Sequence, residues 1–275
     1  MRRLTVELAG VEAGTRLLAP AGMATPFEAV ITASVSGGRI AAVLPEPELG
    51  LAALLIEAEG GPLILGYEIA AEGAAYPEAM FAARKTPYTV AAEDLAQASR
   101  EIARAAGGGM AGIAALVAEA EARFAYAHPE IRFNDGKDTV PYLSCGTTPG
   151  SCVDINTYLV ASLRAVGFEA GYVYGYFFPA EKGGVTNDMH CWVVTRHGGE
   201  VQHWDIAHHM KAGLGAAREG LNPRPGWRVT LGHSMGHRYG QGANAVALKL
   251  LAEPMVIGAD RRPAWVPLVA RLAAP

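Results

Sequence analysis

Thr148-Pro149-Gly150-Ser151-Cys152-Val153-Asp154-Ile155-Asn156-Thr157-Tyr158-Leu159 is the stretch on which the fold turns. A Pro-Gly-Ser turn leads into a run where Ile155, Leu159, Leu163 and Val166 recur near four-residue spacing, and Gly167 closes it. That pattern predicts a helix beginning at Cys152 and stopping at Gly167. A sulfur at a helix N-terminus meets unpaired N–H groups and the positive end of the macrodipole, and both favour a thiolate. The backbone N–H of Cys152 is also a natural donor to an oxyanion. A lone cysteine is equally at home as a small buried hydrophobe. A catalytic reading therefore needs a base.

Downstream, Gly171–Phe178, His190–Thr195 and Val201–Ile206 read as strands, the last two joined by the turn Arg196-His197-Gly198-Gly199-Glu200. A two-residue loop centred on His197-Gly198 pairs His190 with Asp205. One centred on Gly198-Gly199 pairs His190 with Ala207, a diagonal step from Asp205. In both registers His190 and Asp205 share a face, so a carboxylate is offered to orient an imidazole. Trp192 shares the His190 face and His203 the Asp205 face, whereas Cys191 points to the opposite side and is expected in the core.

Upstream, residues 1 to about 72 carry short apolar or alternating runs: Leu4–Leu8, Glu28–Ser34, Ile40–Leu44, Ala53–Ala58 and Pro62–Ile69. Ser36-Gly37-Gly38 and Gly60-Gly61 read as hairpin turns between them. A small β-sandwich over residues 1–74 is expected, with a second domain over 75–275. The texture changes near Gly73. Ala91–Ala106 and Met110–Phe124 have helical periodicity and are separated by three glycines at 107 to 109.

Half of the 275 residues are hydrophobic (51%), 18% are charged and the net charge is -4. A packed core is expected, and nucleic acid or an anionic membrane is not. No run of about 18 apolar residues suggests a membrane span. The opening MRRLTVELAG lacks the apolar core and cleavage site of a secretory signal. Three cysteines are too few for a disulfide framework, and a cytoplasmic location is expected. Cys145 is either an unrelated loop thiol or a partner for Cys152 in a reversible disulfide. His203, Asp205, His208 and His209 lie close in sequence, and His233 and His237 are four apart, which raises a metal site as a rival. Gly232 and Gly236 work against a helix there, and adjacent His208 and His209 do not both point inward, so no metal is expected.

Four blocks in order resemble the transglutaminase-like superfamily, in its bacterial form with an N-terminal β-domain. They are Gly150-Ser151-Cys152, Leu163-Arg164-Ala165-Val166-Gly167-Phe168-Glu169-Ala170 leading to Gly175-Tyr176, His190-Cys191-Trp192-Val193, and Trp204-Asp205. The resemblance implies an α+β chain in which a β-sandwich precedes a papain-like core, with the nucleophile at a helix N-terminus packed on an antiparallel sheet. It implies Cys152 as nucleophile, His190 as general base and acid, and Asp205 as orienter, with no cofactor. The reaction expected is acyl transfer from an amide or peptide carbonyl through a thioester on Cys152, hydrolysis being favoured over amine transfer. Peptides, proteins or small amides are the expected substrates, with Trp192, Tyr176 and His203 as candidate substrate-binding residues. A non-catalytic binding or scaffold module is the alternative. The sequence departs from the family where Cys191 replaces a small alanine, Gly171 stands near a frequent arginine, and Trp204 and Asp205 are adjacent. Gln97, Asn134 and Asn187 are the candidates for a side-chain oxyanion donor.

Overall fold

A computed structural model describes residues 1–242, 245–258 and 260–273. The chain opens with six strands: β1 (Arg2–Val11), β2 (Arg16–Pro20), β3 (Ala29–Ser36), β4 (Gly38–Glu46), β5 (Leu51–Ala58) and β6 (Gly61–Ala70). Three helices follow, α1 (Glu78–Phe81), α2 (Glu93–Ala105) and α3 (Gly109–Arg123), then the short strands β7 (Phe124–Tyr126) and β8 (Thr148–Gly150). Helix α4 (Cys152–Val166) leads to β9 (Glu169–Pro179), β10 (Val185–Thr186), β11 (Met189–His197), β12 (Glu200–Trp204) and α5 (Ile206–Ala212). The rest is strand: β13 (Gly226–His233), β14 (His237–Tyr239), β15 (Val246–Leu248), β16 (Met255–Ile257), β17 (Pro263–Trp265) and β18 (Leu268–Ala273).

Two compact units result. The first comprises Met1–Ala79, Tyr174–His190 and the described residues from Pro225 onward. It holds two five-stranded sheets, ordered β10-β18-β1-β6-β3 and β17-β16-β2-β5-β4. Alternation along β1 turns Leu4, Val6 and Leu8 inward, where they meet Leu63, Leu65 and Tyr67 of β6 and Leu17, Leu54 and Ile56 of the other sheet. Each such side chain removed from water stabilises the unit by about 1.5–3 kcal/mol. The sandwich reaches beyond the expected 1–74: β18 pairs with β1 (Val6 with Ala270) and β16 with β2 (Met255 with Leu18). Without these partners β1 and β2 would present open edges.

The two expected hairpins are corners instead. β3 pairs with β6 and β4 with β5, so Gly37 and Gly60-Gly61 carry the chain from one sheet to the other. Gly37 has φ +77°, and a Cβ there would stand 2.2 Å from the Pro62 carbonyl oxygen. Only glycine permits that approach.

The second unit comprises Met80–Val173 and Cys191–Arg224. Helices α2 and α3 pack on each other and on α4, whose residues Cys152 to Leu163 are all buried. The first part of β9 lies beside β11, and β12 is the next strand out. The β11–β12 turn is Gly198-Gly199, both with positive φ (58° and 85°), as a two-residue hairpin of primed type requires. His197 pairs with Glu200 and Val193 with Trp204, the second of the two registers expected. Gly167 ends α4 in the left-handed conformation (φ +92°), its N–H bonded to Arg164 O and the next N–H to Leu163 O.

Candidate active site

Cys152 is the first residue of α4 and 5% exposed. Gly150 is required two residues earlier, because a Cβ there would stand 2.5 Å from the Phe124 ring. β7 and β8 run parallel, Tyr126 opposite Gly150, and this fixes the approach to the helix. Ser151 is the N-cap, its Oγ accepting from Val153 N at 3.3 Å. Asp154 closes a reciprocal capping box: its Oδ2 accepts from Ser151 N (2.9 Å) and from Ser151 Oγ (2.8 Å). Arg132 Nη1 reaches the same Oδ2 at 2.7 Å and Ser151 Oγ at 2.9 Å. The helix start carrying the thiol is thus tied down by four side-chain hydrogen bonds of 2.7–2.9 Å.

Cys191 stands against this thiol. Fully buried on β11, it is hydrogen-bonded to Cys152, to the Tyr172 hydroxyl and to Asn156, whose Nδ2 lies 3.3 Å from its Sγ and 3.0 Å from its carbonyl oxygen. Burial raises the Cys191 thiol well above its usual range, and the Cys152 contact adds to this. Burial likewise raises the Tyr172 phenol, with the two cysteine sulfurs contributing in the same direction. Both groups are therefore protonated near neutrality and act as donors. Strand alternation put Cys191 in the core but did not reveal that α4 covers that face. Cys145 is exposed, and none of the three cysteines is in a disulfide.

Asp205 lies one residue past β12 and caps α5, its Oδ1 accepting from His208 N at 3.1 Å. Its Oδ2 lies 3.0 Å from His208 Nδ1, an ion-pair distance between two buried side chains. His208 as a partner of Asp205 was not expected; the signal was an Asp followed three residues later by His at a helix start. His203 is buried on β12 opposite Val194. Trp192 is buried on β11. His209 turns elsewhere, its Nε2 3.5 Å from Arg218 N.

His190 belongs to the first unit, at the start of β11, where it is 5% exposed with its ring 6.1 Å from that of Phe177. Tyr176, expected to line a cleft, is instead fully buried in the apolar core of that unit beside Phe178. His233 and His237 sit at the end of β13 and the start of β14 rather than on a helix. Of the three oxyanion candidates, Gln97 is exposed and bonded to Glu101, and Asn187 is exposed. Asn134 is 4% exposed, and neither atom of its carboxamide has a partner among the described residues.

Residues 92–205 match the family model of the transglutaminase-like superfamily. No curated protein matches the chain. A candidate cysteine protease from Cytophaga hutchinsonii, 12% identical, superposes over 99% of this chain and 97% of its own with a TM-score of 0.52, a likeness of fold. The periplasmic domain of TgpA from Pseudomonas aeruginosa is 17% identical over 76% of this chain and 77% of its own, with a TM-score of 0.38. Residues 92–205 of this α+β chain are thus similar to the transglutaminase-like superfamily.

Proposed function

We propose that the chain is a cysteine-dependent hydrolase of amide or peptide bonds, with Cys152 as nucleophile, His190 as general base and acid, and Asp205 as orienter. The observation that carries this reading is the buried thiol at the capped start of α4. The β11–β12 register supports the assignment of the base. Val193 is opposite Trp204, the last residue of β12; continued one position, that register would set Trp192 against Asp205, and His190 has the side-chain parity of Trp192.

In this mechanism the Cys152 thiolate attacks the carbonyl carbon, and the oxyanion is held by the Cys152 N–H. Asn134 is the candidate second donor, since its amide is buried and unused. His190 protonates the leaving amine as the C–N bond breaks, leaving a thioester. Water, deprotonated by His190, attacks the thioester and frees the acid and the thiol. An amine in place of water would give transfer, and exclusion of water decides between them. Peptides or small amides are the proposed substrates, with Trp192 and His203 as the side chains to meet them. Three cysteines outside any disulfide suit a reducing compartment, and on that ground a cytoplasmic location is proposed.

The test is acylation by p-nitrophenyl acetate, followed by nitrophenolate release and by mass spectrometry of the Cys152 peptide. A stoichiometric burst with an acetyl adduct on Cys152, absent in Cys152→Ala and slowed at least a hundredfold in His190→Ala, is expected. Equal release by wild type and Cys152→Ala would favour the non-catalytic scaffold reading. Adding a primary amine then separates hydrolysis from transfer by the products.

A further inference from the structure

Asp154 is a buried carboxylate two residues from the nucleophile, and it shares with Cys152 the N-terminus of α4. That terminus supplies the equivalent of about half a positive charge. A carboxylate and a thiolate there place two negative charges against it, and each disfavours the other. One more positive charge is needed to hold both.

Arg132 supplies it. Its Nη1 lies 2.7 Å from Asp154 Oδ2 and 2.9 Å from Ser151 Oγ, while Asp154 is fully buried and the arginine side chain is 33% exposed. The arginine is held by its own loop. Arg132 N donates to Asp135 Oδ2 (2.9 Å), Asp135 N donates back to Arg132 O (3.1 Å), and the neighbouring Phe133 ring packs edge-on against Phe124 and Tyr158.

The other groups around Cys152 in the second unit leave this charge uncompensated. Cys191 of β11 and Tyr172 of β9 are kept protonated, chiefly by burial. On α5, Asp205 is paired with His208, and His209 is turned to the Arg218 amide. On α3, Glu119 and Arg123 neutralise each other at 2.6 Å. The charged side chains of α2 are exposed, Arg100 paired with Glu93. His190, the base assigned above, is the counter-charge of the thiolate when protonated, which leaves the Asp154 carboxylate as the charge still to be balanced.

We propose that Arg132 is a positioning residue for the nucleophile: its guanidinium fixes and neutralises the buried Asp154 carboxylate at the helix start that bears Cys152. It touches neither substrate nor reacting atoms and acts through Asp154. The inference rests on the reading of Cys152 as the nucleophile.

The experiment is the rate of iodoacetamide alkylation of Cys152 between pH 5 and 9, read by mass spectrometry on the full chain, with exposed Cys145 as internal reference. Wild type is compared with Arg132→Met, Arg132→Lys, Asp154→Asn and the double variant Arg132→Met/Asp154→Asn. Arg132→Met is expected to raise the Cys152 midpoint by about one pH unit, a roughly tenfold slower reaction below it. Arg132→Lys keeps most of the wild-type profile, and the double variant returns to it because the charge to be balanced is gone. Cys145 does not change. A folded Arg132→Met with the wild-type midpoint overturns the inference. So does a double variant whose midpoint stays about a unit high, since removing a bystander charge would not restore a frayed helix. Should Arg132→Met not fold, the Arg132→Lys and double-variant profiles decide on the same terms. A wild-type midpoint near the ordinary value of about 8.5 instead removes the nucleophile reading itself, and Arg132's role with it.

Discussion

Asp205 performs two tasks that two substitutions separate. Its Oδ1 accepts the His208 N–H at the start of α5, and its Oδ2 faces His208 Nδ1 at 3.0 Å, both residues being buried. Asp205→Ala removes the cap, at about 1 kcal/mol, and strands a buried imidazole, at about 1–2 kcal/mol more. The sum of about 2–3 kcal/mol corresponds to a fall in melting temperature of about 3–5 °C for a chain of this size. Asp205→Asn keeps an oxygen for the cap but not the one facing His208 Nδ1, so it is expected to lose only that pair, at about 1–2 kcal/mol. If the carboxylate orients the catalytic imidazole, asparagine still abolishes it, because the amide stabilises neither the right tautomer nor the imidazolium. A loss of about 10³- to 10⁴-fold in acylation rate follows. The assay is thermal unfolding by circular dichroism beside nitrophenolate release from p-nitrophenyl acetate, on wild type and both variants. Stability must rank wild type, Asn, Ala, while both variants are nearly inactive. An Asp205→Asn enzyme within threefold of the wild-type rate would refute the orienting role. Equal melting temperatures for the two variants would refute the capping argument.

Glu28 offers a pH test in the first unit. Burial, the largest cause, raises its carboxyl above the usual 4.5, against the opposing hydrogen bond from Thr230 N (2.7 Å) and the Arg2 guanidinium at 2.5 Å. The folded chain holds this proton more tightly than the unfolded one. The resulting stabilisation is complete below pH 4.5 and drains away as pH rises through the raised value. The stability difference between wild type and Glu28→Gln, from urea unfolding at several pH values, must shrink from acid to neutral pH; a difference that grows with pH refutes the argument. For Tyr176, the buried hydroxyl has no partner among the described residues. Tyr176→Phe is therefore expected to leave the melting temperature unchanged or raise it, by up to about 1 kcal/mol, with acylation of Cys152 unaltered. A loss of more than about 1 kcal/mol would show that the hydroxyl is bonded.

What could be read from the sequence is what local chemistry writes there. The limits of α4 follow from a Ser cap and a Gly stop, and the β11–β12 turn from two adjacent glycines; each signal acts within about five residues. The sandwich strands were found where one face alternates, as in β1. Strand β2 was missed because Leu17, Leu18, Ala19 and Pro20 are all buried, which leaves no period of two. The corners at Gly37 and Gly60-Gly61 were read as hairpins because positive φ marks a reversal without saying whether the two strands share a sheet. Strands β14 to β17 are three residues each, too short to carry a period. Pairing such as Met255 with Leu18 gives β16 its identity, and no local pattern states it.

The candidate site divides along the same line. Cys152 announces itself by its place at a helix start and Asp205 by its place across a hairpin, while Asp154's place in the capping box was implicit in Ser151-Cys152-Val153-Asp154. Alternation placed Cys191 on a face but could not say which element covers that face. It is α4, through Asn156 one turn beyond Cys152. Arg132 carries no signal at all, since its partner lies 22 residues away and its loop has no period. The two residues that reach this helix start from elsewhere in the fold, a buried thiol from β11 and a guanidinium from a loop, are thus those whose places depend on long-range packing. The helix start that carries Cys152 is fixed by four consecutive residues. A substitution scan guided by sequence alone would find Cys152 and Asp205 and pass over Arg132, though we propose that the ionisation of the first is tied to it through the Asp154 contact.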